Sequence, residues 1–593
     1  MNWTSVPSPS TGPVRRRSVL AAAVGALLPT SGCVTRGVET VVDDGRQVSL
    51  SLATVPTDDD RGAIRIARHL ESNLEAVGVD VTLDVRPRAG FLEAVLLDRD
   101  VDLFVDRYPV DAAADPDFLY GALHSRFATQ PGRQNPFEFT DETVDRLLEA
   151  QRLASEAERR GYVADLLDAI VAAKPFEPIC RPTEHRLVRS DRFEVDDLDD
   201  APVASRAGYL HLASVEDDDR LHALLTDTRP SRNCNPLSVT MRRRGTIVDL
   251  LYDSLGTYED GTLRPWLADS WTWEQDGHST TISLSLREGC RFHDGQPVTA
   301  DDVAFTYRFL ADTAPDSAFP SPAPRYSGRI SAVDDLEVHD EYALTISLEA
   351  AEAVAGRALT VPILAEHVWQ ERLASERGHR SSPPQGHREP VTGDVDPVGS
   401  GVYRLANRSK RDSLTLERHE EHFAVRGGDG EESAAAATPP AVELHFEVDP
   451  NSASMVERIA DGDADVTASP IQAYAVNRVP ADDVVEHAAQ PSRTFYYLGF
   501  NTRRTPCDED GVELRRAITR LLDKSTLAEN GFDGDAVPIS TPVPDAWTPA
   551  ALAWDGDDDF AGNDGDLDLE TARSAFERAG LRSDEDGRLV WEY

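Results

Sequence analysis

Residues 47–85 constrain the fold most. Val48-Ser49-Leu50-Ser51-Leu52 alternates apolar and polar residues, the period of a half-buried strand. Ile64, Ala67, Leu70, Leu74 and Val77 follow at helical spacing, and Gly78 ends the run. Val79, Val81, Leu83 and Val85 then alternate again. Strand, helix and strand within about 40 residues form a crossover unit of a parallel sheet. A short helix over 91–97 and a strand over 101–105 extend it, and helices dominate up to Ala173. Behind the acidic break at 216–219, a new strand covers 221–226. In residues 280–287, Ile282, Leu284 and Leu286 share one strand face. His293-Asp294-Gly295 predicts a turn, because Asp-Gly supplies the positive φ. Thr299 with Asp302 predicts a capped helix start, continued by Val303, Tyr307 and Leu310. Leu514, Ile518, Leu521 and Leu522 mark another helix, and Asp568 caps one that Gly580 ends. Alternating strands and helices over 593 residues give an α/β fold class. Several domains are expected, since one core rarely grows past roughly 250–300 residues.

Charge excludes one class of partner. The chain has 60 Lys+Arg against 105 Asp+Glu, a net −45, so it lacks the cationic face that nucleic acid needs. Lys174, Lys410 and Lys524 are the only lysines. Such a chain repels itself in dilute buffer but not in molar salt, where the Debye length is about 3 Å. The composition therefore reads as adaptation to high salt, with GC-rich coding an alternative source of the Arg bias. With 40 % hydrophobic residues the chain is globular in composition.

The first 33 residues read as an address. Arg15, Arg16 and Arg17 precede a short apolar run at 19–28, and Ser31-Gly32-Cys33 follows. Arg16-Arg17-Ser18-Val19-Leu20 resembles the twin-arginine export motif, and Ser31-Gly32-Cys33 resembles a lipobox, with Thr30 where many have Leu. That resemblance implies export and a lipid on Cys33. Removing residues 1–32, which carry three Arg and no acid, makes the net charge −48. Residues 34–47 read as a tether. No other stretch reaches 18 apolar residues, so no transmembrane helix is expected.

Enzymatic signatures are missing from the sequence. Cys180, Cys234, Cys290 and Cys507 are widely spaced and form no C-x-x-C; free buried thiols are expected, though two bridges are conceivable. His419-Glu420-Glu421-His422 is not H-E-x-x-H and reads as a surface turn. There is no G-x-S-x-G, P-loop or dinucleotide fingerprint, so no catalytic residue, metal or cofactor is assigned.

Four motifs occur in a familiar order. Trp266-Leu267-Ala268-Asp269-Ser270-Trp271 precedes Arg287-Glu288-Gly289-Cys290-Arg291-Phe292-His293-Asp294-Gly295 and Thr299-Ala300-Asp301-Asp302-Val303. Pro397-Val398-Gly399-Ser400-Gly401-Val402-Tyr403 follows. Next come Leu498-Gly499-Phe500-Asn501-Thr502 and a helix ending Ala579-Gly580-Leu581. Together they resemble the family 5 extracellular solute-binding proteins, which include oligopeptide-, dipeptide- and nickel-binding components of ABC importers. The resemblance implies a type II periplasmic-binding-protein-like fold: two lobes with a crossing-strand hinge and an accessory α+β domain.

In that family, roughly another hundred or more residues follow the position of Trp591, and residues 46–215 resemble them. Val48–Leu52 resembles the strand due next, residues 102–119 a strand and its Asp-Pro loop, and Phe176-Glu177-Pro178-Ile179 the late returning strand. A circular permutation is therefore expected. The implied layout is 1–33 signal, 34–47 tether, 48–178 second lobe, 179–258 first lobe, 259–395 accessory domain, 396–499 first lobe and 500–593 second lobe.

The resemblance also places a site. Family peptide receptors use main-chain hydrogen bonds and an acid that pairs with the ligand's α-ammonium. Asp111 occupies that acid's place, ahead of Asp115-Pro116, with Tyr108 as an aromatic wall where the family has Trp. Asn501 falls near a crossing strand, and Arg232 and Asn233 lie in a loop matching a cleft loop by position, where shaping the loop is the favoured role. The implied function is a lipid-anchored, externally displayed, monomeric receptor delivering oligopeptide or dipeptide to an ABC permease and its ATPase subunits, without chemistry of its own. A nickel chelate or sugar receptor, a sensor without transport, and a secreted hydrolase are the alternatives.

Overall fold

A computed structural model describes residues 46–591 except 110–114, 130–134, 195–204, 215–219, 239–245, 260, 278, 314–322, 379–392, 427–440, 482–483 and 558. The export signal, with Arg16, Arg17 and Cys33, lies outside the described residues.

The crossover unit forms as its pattern predicts. Strand β1 (Ser49–Thr54) leads to helix α1 (Arg61–Val77) and strand β2 (Asp80–Val85), which pairs parallel with β1. Asp60 caps α1 by accepting the Ala63 N–H, and Gly78 ends it at φ 106°. The expected strand at 101–105 is β3 (Leu103–Tyr108), which pairs parallel with β1 from Leu103 onward. Its start is set by Asp102, whose carboxylate accepts both the N–H and the hydroxyl of Ser51. The expected helix at 91–97 forms as Arg88–Glu93, continued by a wider turn over Ala94–Asp98.

One sheet runs through the molecule. Strand β4 (Phe176–Arg189) is its spine, joined by β5 (Arg220–Leu225), β6 (Glu443–Val448), β7 (Val466–Thr467), β8 (Val485–Pro491) and β9 (Phe495–Phe500). The first part of β4 pairs with β9, and β9 pairs with β3. The second part pairs with β8 and touches β7. Thus β4 and the β8–β9 run are two strands that cross between lobes. The second lobe has one apolar core drawn from both chain regions, including Val48, Leu70, Phe104 and Ile179 with Leu498, Leu521, Phe576 and Leu589. Strand β9 belongs to this half, so its contribution begins ahead of residue 500.

The first lobe and the accessory region share another core, from Val188 to Val466. The accessory sheet is antiparallel, in the order Ala268–Asp276, Ser279–Leu286, Ala343–Leu348, Val333–Val338. Ile282, Leu284 and Leu286 are buried on one face, as their alternation predicts. Thr299 and Asp302 complete a capping box on the helix Ala300–Ala311, and Gly295 has φ 88°. The Gly399 and Gly401 pair is steric: a Cβ there would lie 1.9 Å from the Leu251 carbonyl and 2.4 Å from that of Leu250. Cys180, Cys234, Cys290 and Cys507 are buried thiols, with no disulfide among the described residues. His419 and His422 fall in a turn behind the strand Ser413–Arg418, but both histidines are buried, against the expected surface turn, and His422 contacts the buried Asp253 at 3.2 Å. Among the described residues no helix is long and apolar enough to cross a membrane.

Candidate functional site

Strand direction locates a cleft. Strand β3 runs antiparallel to β9 and so parallel to the first part of β4. Strands β5 and β6 run parallel to β7, which opposes the second part of β4. The carboxyl ends of both parallel groups therefore point at each other across the middle of β4, near Glu184. Open α/β sheets bind ligands at such ends. The lobes also meet at their edges: the Arg61 guanidinium lies 5.1 Å from the centre of the Tyr474 ring.

Polar side chains on the elements that follow these strand ends are internally paired. The Asp60 carboxylate accepts from the Tyr496 hydroxyl at 2.7 Å and from Arg107 Nε at 2.8 Å. Asp106 is held by buried Arg88. Glu184, between the lobes, accepts from Ser492 Oγ at 2.6 Å and Arg186 at 3.1 Å. Asp115 receives both terminal nitrogens of Arg159 at 2.7 and 2.5 Å. Asp117 accepts from Arg152 Nε at 2.6 Å and Arg357 at 2.5 Å. Burial would raise the Asp117 carboxyl, but Arg152 and Arg357 outweigh it and hold it below the ordinary range. Arg357 belongs to the accessory region, so this triad spans from the second lobe to the accessory domain.

The residues singled out in the sequence take up different positions. Tyr108 ends β3 and stacks on Phe495, ring centres 5.6 Å apart, with Phe118 at 5.2 Å. It is half-buried at the edge of an aromatic tier that includes Phe104, Phe137, Phe176 and Tyr497. Asn501 is 2 % exposed; its amide donates to the Arg99 carbonyl at 3.3 Å and accepts from the Arg503 N–H at 3.1 Å. Its side chain thus holds the turn behind β9. Arg232, half-buried, ends the short helix Arg229–Arg232. The Asn233 Oδ1 accepts the Asn235 N–H at 2.8 Å, and Asn235 is tied to the Gly393 carbonyl. Asp111 lies outside the described residues.

Sequence reasoning did not find Asp60, Arg107, Tyr496 or Glu184. Asp60 had a local signal as a helix cap, but nothing in the sequence links it to Tyr496, 436 positions away.

This architecture is a two-lobed α/β fold joined by two crossing strands. The family profile described as "Bacterial extracellular solute-binding proteins, family 5 Middle" matches residues 262–592, and the chain belongs to that family. The Nickel-binding periplasmic protein of Escherichia coli is 25 % identical over 294 residues, 48 % of this chain and 48 % of that protein. The Dipeptide-binding protein of Pseudomonas aeruginosa is 21 % identical over 353 residues, 56 % of this chain and 58 % of that protein. The chain spans about half the length of the curated relatives it matches. The mannohexaose-bound periplasmic oligopeptide-binding protein of Thermotoga maritima aligns with a TM-score of 0.45 and 17 % identity, over 63 % of this chain and 65 % of that one.

Proposed function

We propose that the protein is an exported receptor, lipid-anchored through Cys33, that closes its two lobes on a peptide and delivers it to an ABC permease without chemical change. The observation that carries this is the facing of two sets of strand ends across the crossing strand β4, in a member of family 5. A dry interlobe cleft favours a fixed ion pair with a peptide α-ammonium. Asp60, Asp106, Asp115, Asp117 and Glu184 each already bind an arginine, and Asp111, in the place of the family's amine-pairing acid, is the acid we assign to the ligand amine. Calorimetric titration with di- to pentapeptides tests the reading: saturable binding at one site per chain is expected. Binding of a nickel chelate or a sugar with no peptide binding would replace it.

We further propose that the second lobe is assembled in permuted order, with the family's late segment in front. The junction supports this. The Val48 N–H donates to the Leu589 carbonyl at 2.9 Å, and the Leu589 N–H donates to the Gly78 carbonyl at 2.9 Å. A Cβ on Gly78 would meet the Gly587 carbonyl at 2.2 Å, so glycine serves both the helix end and this close approach. A chain with residues 46–178 moved behind residue 591 is expected to fold with a melting temperature within a few degrees of the parent, since the core and hydrogen bonds are unchanged. An unfolded or aggregated product would overturn the proposal.

A further inference from the structure

A histidine pair on the first-lobe sheet has no role in the cleft. His222 lies on β5 and His445 and Glu447 on β6; the strands are parallel, with His222 directly opposite His445. Leu221, Ala223, Leu444 and Phe446 are fully buried, so the alternating residues His222, His445 and Glu447 lie on the other face. That face is covered in part by the helix Ser452–Asp461, which brings Arg458. One ligating atom from each of the three side chains lies within 4.8 Å of the others.

We propose that His222, His445 and Glu447 bind a borderline transition-metal dication, with zinc as the reference ion. The chemistry of the donors fits: two imidazoles and one carboxylate match zinc, with ligand distances of about 2.0–2.2 Å, and leave a position open to water. The surroundings orient them. His445 Nδ1 is 3.0 Å from Thr415 Oγ1, and an Nδ1–H donated there leaves the Nε2 lone pair for metal. Glu447 is fixed by both terminal nitrogens of Arg458 at 2.9 and 2.7 Å. His222 Nε2 lies 2.9 Å from Glu447 Oε2, so imidazole and carboxylate already converge. Binding needs only side-chain rotations that draw these atoms in, with the proton between His222 and Glu447 released to solvent. Arg458 then acts as the outer support of a ligating carboxylate. The strands are interior to the sheet, which makes the placement rigid.

The test is calorimetric titration of the full chain with zinc chloride in about 1 M KCl, where diffuse attraction to surface acids is screened. One saturable site is expected. His445→Ala and Glu447→Gln should each weaken it at least about tenfold, with near-UV circular dichroism unchanged. Thr415→Val, which keeps all three ligands, should weaken it less and covers the case in which Glu447→Gln fails to fold. His487→Ala, in the separate pair where His185 Nδ1 lies 3.0 Å from His487 Nε2, should leave it intact. No saturable zinc binding, binding unchanged in His445→Ala, or equal displacement by magnesium would overturn the site.

Discussion

Glu177→Gln is expected to lower stability by about 3 kcal/mol at neutral pH. Two of the three lysines in the chain converge on this carboxylate: Lys174 Nζ lies 2.7 Å from Oε2 and Lys524 Nζ 2.5 Å from Oε1. Burial alone would push Glu177 up, but the two lysines outweigh it and bring the group from 4.5 to about 2. A depressed carboxyl contributes fully above its unfolded value near 4.5, and the contribution fades as pH falls towards 2. The wild type should therefore lose about 3 kcal/mol across that window, and Glu177→Gln should lack that segment of the profile. Lys524 is buried and also donates to the Ile539 carbonyl at 3.0 Å, so removing its counter-charge leaves a cation that water cannot reach. Urea denaturation against pH reads both effects. Superimposable profiles for the two proteins would contradict this account.

Asp117→Ala is expected to weaken peptide binding about 100-fold, which is about 3 kcal/mol. The Asp117 carboxylate joins Arg152 of the second lobe to Arg357 of the accessory domain, and all three side chains are buried. Arg152 also donates to the Gly328 carbonyl at 2.8 Å and Ser331 Oγ at 2.9 Å, and its own carbonyl accepts the Ala351 N–H. Deleting the carboxylate removes the negative charge that the buried Arg152 and Arg357 share. Opening the lobes hydrates them, so the variant shifts toward the open form, and ligand affinity falls with the closed population. Calorimetry with one peptide gives the affinity, and small-angle scattering gives the compactness. Unchanged affinity with unchanged dimensions would show that the triad does not hold the closed form.

The parts of the fold legible in the sequence are those set by neighbours in the chain. The alternation of Val48 to Leu52, the stop at Gly78, the Thr299–Asp302 cap and the turn at Gly295 each depend on fewer than six adjacent residues, and each forms as its pattern predicts. The buried polar pairs were not legible, because their members are distant in sequence. Asp60 meets Tyr496, Asp117 meets Arg357, and Glu177 meets Lys524. Among 105 acids, no local feature separates a buried partner from a solvated one. Asn501 shows the reverse case: its motif drew attention to it, and its side chain turns inward to hold backbone. Tyr108 was placed by the same motif reasoning, and the aromatic tier behind it appears only once β3 and β9 pair.

The proposed cleft recognises a peptide through its free amine. Its most direct test is calorimetric titration of the protein and its Asp111→Asn variant with one short peptide, offered with a free N-terminus and N-acetylated. One saturable site is expected for the free amine, with affinity reduced at least about tenfold by acetylation and similarly in Asp111→Asn, as for a lost charge-assisted pair. No binding of the free peptide, or equal binding of both forms to both proteins, would contradict it.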